Sequence, residues 1–131
     1  MMNLNSAMRL SASGMTAERF RMDVISSNVA NANSTGINGR DPYRRRIVSL
    51  TTSEDGVEIS NIDEDQTEFR KVYEPGNPNA DRETGMVTYS NVDPLKEMVD
   101  MMSATRAYEA NISAFNSAKG MVRSALNIGK V

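Results

Sequence analysis

Few side chains in this chain could do chemistry, and their spacing argues against most of it. The densest acidic group is Asp63-Glu64-Asp65. Three carboxylates can hold a divalent cation or move protons, but a calcium loop spaces its oxygen ligands and places a glycine at its sharp turn. Here the acids are consecutive and no glycine lies among them, so they read as the solvated side of a turn. The chain has no Cys and no His. That removes thiol nucleophiles, imidazole bases, disulfides and most zinc or haem ligation. Scattered Ser and Thr are the remaining candidates, and no glycine-rich phosphate loop occurs. Asn33-Ser34-Thr35 and Asn111-Ile112-Ser113 fit the glycosylation triplet, though the second falls in the middle of a helical pattern. The one basic cluster, Arg40, Arg44, Arg45 and Arg46, is short and flanked by acids, unlike a nucleic-acid footprint. The expectation is a non-enzyme without catalytic residues, metal site, cofactor or nucleic-acid partner.

What remains to be read is shape. At 131 residues the chain is one domain or less, and an apolar fraction of 39% is low for a compact globule. Three Phe, four Tyr and no Trp leave few large groups for a core, and ten Met partly make up for that. Met is unbranched and flexible, so it suits surfaces that pack in more than one arrangement. No run of about 18 apolar residues occurs, so no spanning helix and no direct membrane insertion are expected. The first 30 residues lack a continuous apolar stretch and carry Arg9, Glu18, Arg19, Arg21 and Asp23, unlike a cleavable signal peptide. The formal charge is +4 over residues 1–50, −8 over 51–93 and +2 over 94–131. Two readings of that pattern stay open: a solvated acidic middle, or basic ends of one copy meeting the acidic middle of the next.

Apolar spacing predicts a long helix at each end. Leu4, Met8, Ser11, Met15, Glu18, Met22, Ile25 and Val29 follow a 4-3 repeat interrupted by Ser11 and Glu18. Beside it runs a stripe of Ala7, Leu10, Gly14 and Ala17, small enough to let another helix approach. The first helix is expected over about residues 3–31, ended by Asn31, Asn33, Ser34, Thr35 and Gly36. Asp93-Pro94 reads as an N-cap with Pro in the first helical position. From there Met101, Thr105, Tyr108, Ile112, Phe115, Lys119, Val122 and Leu126 repeat the 4-3 spacing, widened at the start by Val92, Leu95, Met98 and Met102. Gly129 is a natural stop, and Gly120 weakens the helix locally by about 1 kcal/mol relative to Ala.

The middle changes character. Tyr43–Leu50, Val57–Ile62 and Phe69–Tyr73 are β-prone and separated by turns at residues 53–56 and 63–66. Residues 74–91 carry Pro75, Gly76, Pro78 and Gly85 and predict an extended loop that closes on a short strand, Met86–Tyr89. These strands make at best one sheet of two or three members. The fold expected is mainly α: long terminal helices, residues 1–36 and 93–131, pairing as one coiled-coil-like bundle, with a small β-rich central insert over 37–92.

Each helix would run about 29–35 residues, roughly 45–50 Å, and a seam that long needs a partner of similar length. Periodicity leaves a simple intramolecular hairpin open. Against it, two helices and a thin insert bury little surface for their length, and an exposed apolar stripe is a liability unless it is an interface. A self-associating subunit and a soluble helical adaptor or chaperone, binding a partner helix without forming a filament, both fit.

Several stretches carry a resemblance. Ser26-Ser27-Asn28-Val29-Ala30-Asn31-Ala32-Asn33-Ser34-Thr35-Gly36 resembles the Asn-rich signature of flagellar rod, hook and related axial proteins. Residues 97–102 (Glu97-Met98-Val99-Asp100-Met101-Met102) and 106–111 (Arg106-Ala107-Tyr108-Glu109-Ala110-Asn111) resemble that family's second signature. Pro42-Tyr43-Arg44-Arg45-Arg46, and the run from Val72 to Asp81 leading into Gly85-Met86-Val87, are similar to its proximal-rod members. The resemblance covers nearly the whole chain. It implies a structural subunit of the proximal rod of the bacterial flagellar basal body, transmitting torque and lining the axial export channel through helix packing. It implies self-assembly in a helical lattice with other proximal-rod subunits and the rod-to-membrane-ring adaptor. It also implies passage through the flagellar export apparatus, without a cleaved signal, to a periplasmic site. The subunit-interface residues expected are Leu4, Met8, Met15, Met22, Ile25, Val29, Asn28, Asn31, Asn33, Met98, Met101, Tyr108, Ile112, Phe115, Val122 and Leu126. Tyr108 is the best single anchor, since its ring can bury while its hydroxyl keeps a polar partner. The amides at 28–33 are expected to bond backbone and neighbouring chains where the helix ends.

Overall fold

The structure, a computed structural model, describes residues 3–129; residues 1, 2, 130 and 131 of the expected helical ends lie outside them. Two long helices, α1 (Leu4–Ala30) and α2 (Pro94–Ile128), flank four strands: β1 (Arg46–Ser53), β2 (Gly56–Glu64), β3 (Arg70–Tyr73) and β4 (Met86–Tyr89). The caps are local and follow the residues. Asn3 accepts from the Ser6 N–H at 2.8 Å at the start of α1. Asp93 accepts from the Leu95 N–H at 3.1 Å, with Pro94 in the first turn of α2. These side chains satisfy backbone donors that a helix start leaves orphaned. At the other end of α1 the Asn31 amide donates back to the Ser27 carbonyl at 2.8 Å, as a helix-ending asparagine should. The second helix runs through Gly120 unbroken to a cap at Gly129.

The helices pack antiparallel. Gly14 lies against Asn111, Met22 against Thr105, and Asn28 against Glu97, so the register descends along α2 as it ascends along α1. The line of closest approach differs from the expected seam. The most enclosed residues of α1 are Gly14, Ala17, Ile25 and Asn28, and those of α2 are Glu97, Ala104 and Ala118. The contact line thus takes Gly14 and Ala17 of the small stripe and then Ile25 of the 4-3 seam, and Met8, Met15 and Met22 flank it half-buried. On α2 the contact line takes Ala104, Asn111 and Ala118 where the sequence reading has Thr105, Ile112 and Lys119, and it leaves Lys119 and Leu126 exposed. Small side chains win this place because they let two backbones come close and multiply contacts.

The central segment forms two separate two-stranded ribbons instead of one sheet. β1 and β2 pair antiparallel with a bulge at Ser49/Leu50, and β2 runs on through Asp63 and Glu64, which the sequence places in a turn. β3 pairs with β4 from Arg70↔Tyr89 to Tyr73↔Met86. The segment just after α1 forms an isolated bridge to β4 at Thr35↔Tyr89, through Gly36 N–H to Thr88 O at 2.9 Å and Ser90 N–H to Ser34 O at 3.0 Å. The β1–β2 hairpin lies back along α1. Its start is held at Asn28 and its tip at Ser13, where Val57 N–H donates to the Ser13 hydroxyl at 3.0 Å. The lengths agree: 15 helical residues and eight strand residues each span roughly 22–27 Å. Gly56, with φ +126°, sits where any Cβ would meet the Ser13 hydroxyl, so only glycine fits there. Thus α1 is covered by α2 on one side and the hairpin on another, while none of the strands packs on α2.

Candidate functional site

Two features stand out: a buried polar junction where the helices meet the insert, and a row of uncovered apolar side chains on α2. The junction centres on Arg45, in the connection just before β1. Its Nε donates to the Glu97 carboxylate, one Nη to Asp65 at 3.2 Å and the other to Asp100 at 3.1 Å. Glu97 is completely enclosed and the Arg45 side chain is only 12% exposed. Burial opposes the charge on Arg45, but Glu97, ahead of Asp65 and Asp100, outweighs it and holds the guanidinium above its ordinary value. The Asp65 carboxyl is held below the usual range, first by the Thr67 hydroxyl and N–H and then by Arg45.

Asn28 completes the junction from α1. Its Nδ2 donates to the Arg46 carbonyl at 2.9 Å and to Glu97 at 3.2 Å. Its Oδ1 accepts from the Tyr43 hydroxyl at 2.8 Å and from the Arg46 N–H at 3.0 Å. Every hydrogen-bonding position of that amide is used inside the chain. Around it, Arg45 N–H donates to Asn91 at 2.8 Å, Asn91 donates to the Asp65 carbonyl at 2.9 Å, and Ser90 donates to the Tyr43 carbonyl at 2.6 Å. Among the described residues no buried side-chain nitrogen or oxygen lacks a partner.

The residues expected at a subunit interface divide into three groups. Ile25 and Asn28 are enclosed by the chain's own elements. Leu4, Met8, Met15, Met22, Asn31, Met101, Tyr108, Ile112, Phe115 and Val122 are half-buried. Val29, Asn33, Met98 and Leu126 are exposed. Sequence reasoning did not single out Leu95, Val99 and Met102 as interface residues, yet with Met98 they form a row 58–71% exposed on the first turns of α2. Leu95, Met98 and Met102 already stand on the stripe that the sequence widens at the start of this helix; their i, i+3, i+4, i+7 spacing adds Val99. Arg45 and Glu97 were also passed over as site residues. Their signal was a charged pair inside two motifs, one of them placed at the apolar start of a helix.

Little here suits catalysis. A cleft of about 670 Å³ is lined by residues 36–42 and 78–83 with Met86 and Thr88, and its charged groups (Arg40, Arg82, Asp41, Asp81, Glu83) mix both signs. Asp63 takes a hydrogen bond from Asn61 at 2.6 Å while Asp65 turns to Arg45, so the acidic trio does not converge. Among the described residues no group of acids could hold a metal ion. No described helix is long and apolar enough to cross a membrane.

Comparison with known proteins bears on both ends and then on the whole. Residues 8–36 match the family model described as flagella basal body rod protein, and residues 83–128 match flagellar basal body rod FlgEFG protein C-terminal. The flagellar basal-body rod protein FlgC of Bacillus subtilis (strain 168) is 46% identical, over 95% of this chain and 97% of its own length. The protein of the same name from Borreliella burgdorferi is 35% identical over 97% and 98%. That from Escherichia coli O6:H1 is 40% identical over 92% and 94%.

Proposed function

The chain belongs to the family of flagellar basal-body rod proteins FlgC, and from that premise we propose how its helices build the rod. It is a structural subunit of the basal-body rod and not an enzyme. Our reading places it in the proximal rod, its two helices forming a coiled-coil-like pair that packs with those of neighbours around the axial export channel and passes torque along it. The central segment then lies further out. Partners are other proximal-rod subunits and the adaptor to the membrane ring. The chain reaches its periplasmic site through the flagellar export apparatus, without a cleaved signal. A soluble adaptor is not favoured by relatives named as rod proteins.

The observation that carries this reading is the uncovered row Leu95, Met98, Val99 and Met102. Four large apolar side chains on one helix face are a liability in water and an asset under a neighbouring helix. Two of them are Met, which repack to suit nonidentical neighbours in a helical lattice. Leu4, Met8, Met15, Met22, Val29, Asn31, Asn33, Met101, Tyr108, Ile112, Phe115, Val122 and Leu126 serve the same interface as flanks that neighbours finish covering. Ile25 and Asn28 support it from behind.

The test replaces Met98 and Met102 by Glu together, in cells whose own copy is deleted. Both positions are exposed, so the isolated chain should lose no more than about 0.5 kcal/mol per site. Swimming should be lost, and the chain should be missing from isolated basal bodies. Normal swimming with normal incorporation would overturn the assignment of this face.

A further inference from the structure

One guanidinium joins parts of the chain that are far apart in sequence. Arg45 belongs to the connection before β1, Asp65 follows β2, and Glu97 and Asp100 lie one turn apart on α2. Glu97 also accepts from Asn28 of α1. The stretches 26–36, 42–46 and 97–111, singled out in the sequence for other reasons, thus meet at one point inside a single subunit. The helices also meet further along the shared seam, where Gly14 lies against Asn111.

We propose that Arg45 is a latch that seats the central segment on the helix pair and closes only when α1 and α2 are paired. Its chief partner, Glu97, is fully enclosed where the two helices meet the segment before β1, and an enclosed carboxylate is tolerated only with a charge partner and hydrogen bonds. Before pairing, Glu97 and the Asn28 amide are hydrated and offer Arg45 no fixed seat. After pairing they face each other at 3.2 Å, and the fork of Arg45 reaches Glu97, Asp65 and Asp100 at once. Asn28 then clamps both the N–H and the carbonyl of Arg46, which is the first residue of β1. With that residue held, the hairpin is laid along α1 as far as Ser13. A chain with unpaired helices therefore carries an unseated insert, and pairing orients it. The latch lies wholly within one chain and does not depend on the rod reading.

The chain has no cysteine of its own, so two engineered pairs can report the two events in the purified full chain. Ser13→Cys with Val57→Cys reports the seated hairpin, and Met22→Cys with Thr105→Cys reports helix pairing; the Val57 N–H bonds the Ser13 side chain, and the Thr105 hydroxyl lies 3.6 Å from the Met22 sulfur. Adding Arg45→Met should slow oxidation of the hairpin pair about tenfold or more while leaving the helix pair within about twofold. Glu97→Gln, which keeps the shape and removes the charge, should act in the same direction. Equal hairpin oxidation with and without Arg45 would overturn the proposal, and so would a parent chain that oxidises at neither pair. If Arg45→Met abolishes both reporters, Glu97→Gln decides. Selective loss of the hairpin signal supports the latch; joint loss or no loss makes Arg45 an ordinary member of one cooperative core.

Discussion

Two glycines lie inside the long helices, and the same substitution should act on them in opposite directions. In an open helix, Gly→Ala stabilises by about 1 kcal/mol because Ala has less backbone freedom to lose. Gly120 is such a case: it is exposed, and a Cβ there meets nothing within 4 Å. Gly14 is not. A Cβ there would lie 2.7 Å from the Asn111 amide nitrogen and 2.8 Å from its Cγ and Oδ1. That amide is itself held by a 2.9 Å bond to the Ala107 carbonyl. Moving it aside costs about 1–3 kcal/mol in overpacking and about 0.5–1 kcal/mol for the lost hydrogen bond. Set against the helix gain, Gly14→Ala should destabilise by about 0.5–3 kcal/mol. Thermal unfolding of the full chain, followed by circular dichroism, would read this directly. Gly120→Ala should raise the midpoint by about 3–5 °C and Gly14→Ala should lower it. Adding Asn111→Ala to Gly14→Ala should recover most of the loss, since it removes the obstructing group. If Gly14→Ala raised the midpoint as Gly120→Ala does, the close crossing of α1 and α2 would be wrong.

Asn28→Ala should cost about 2–4 kcal/mol in urea unfolding, because it strips partners from Glu97, Tyr43 and both backbone groups of Arg46. Asn33→Ala, at an exposed position, should stay within about 0.5 kcal/mol; equal effects at the two sites would count against the junction. Asp65 gives a pH prediction. Its folded-state pKa is depressed, so its contribution is present above the unfolded carboxylate value near ~4 and is lost as pH falls through the lower folded value. Urea midpoints of the parent should therefore fall below about pH 4 more steeply than those of Asp65→Asn. Parallel curves would show that Asp65 carries no such linkage.

The sequence legibly encodes what is local. The helix start at Asp93, the stop at Gly129 and the strand Met86–Tyr89 depend on capping and propensity acting over a few residues. The ends of β2 were less legible. Asp63 and Glu64 favour turns as residue types, but pairing with Ile47 and Arg46 holds them in strand, a case of tertiary pairing overriding propensity.

By itself the sequence determined that this protein has two long helices around a small β-rich segment, no catalytic equipment, and motifs at both ends of one family. Only the tertiary structure decided which helix face lies inside. Two apolar stripes lie on α1, and packing encloses Gly14 and Ala17 of the smaller together with Ile25 of the larger, because close approach rewards small residues such as these and Ala104 and Ala118 with contacts that bulkier Met would prevent. Likewise, only the fold could reveal the use of Arg45 and Glu97. A charge reads as solvated when seen alone, and it becomes a buried anchor when residues 52 positions apart in the chain are brought into contact.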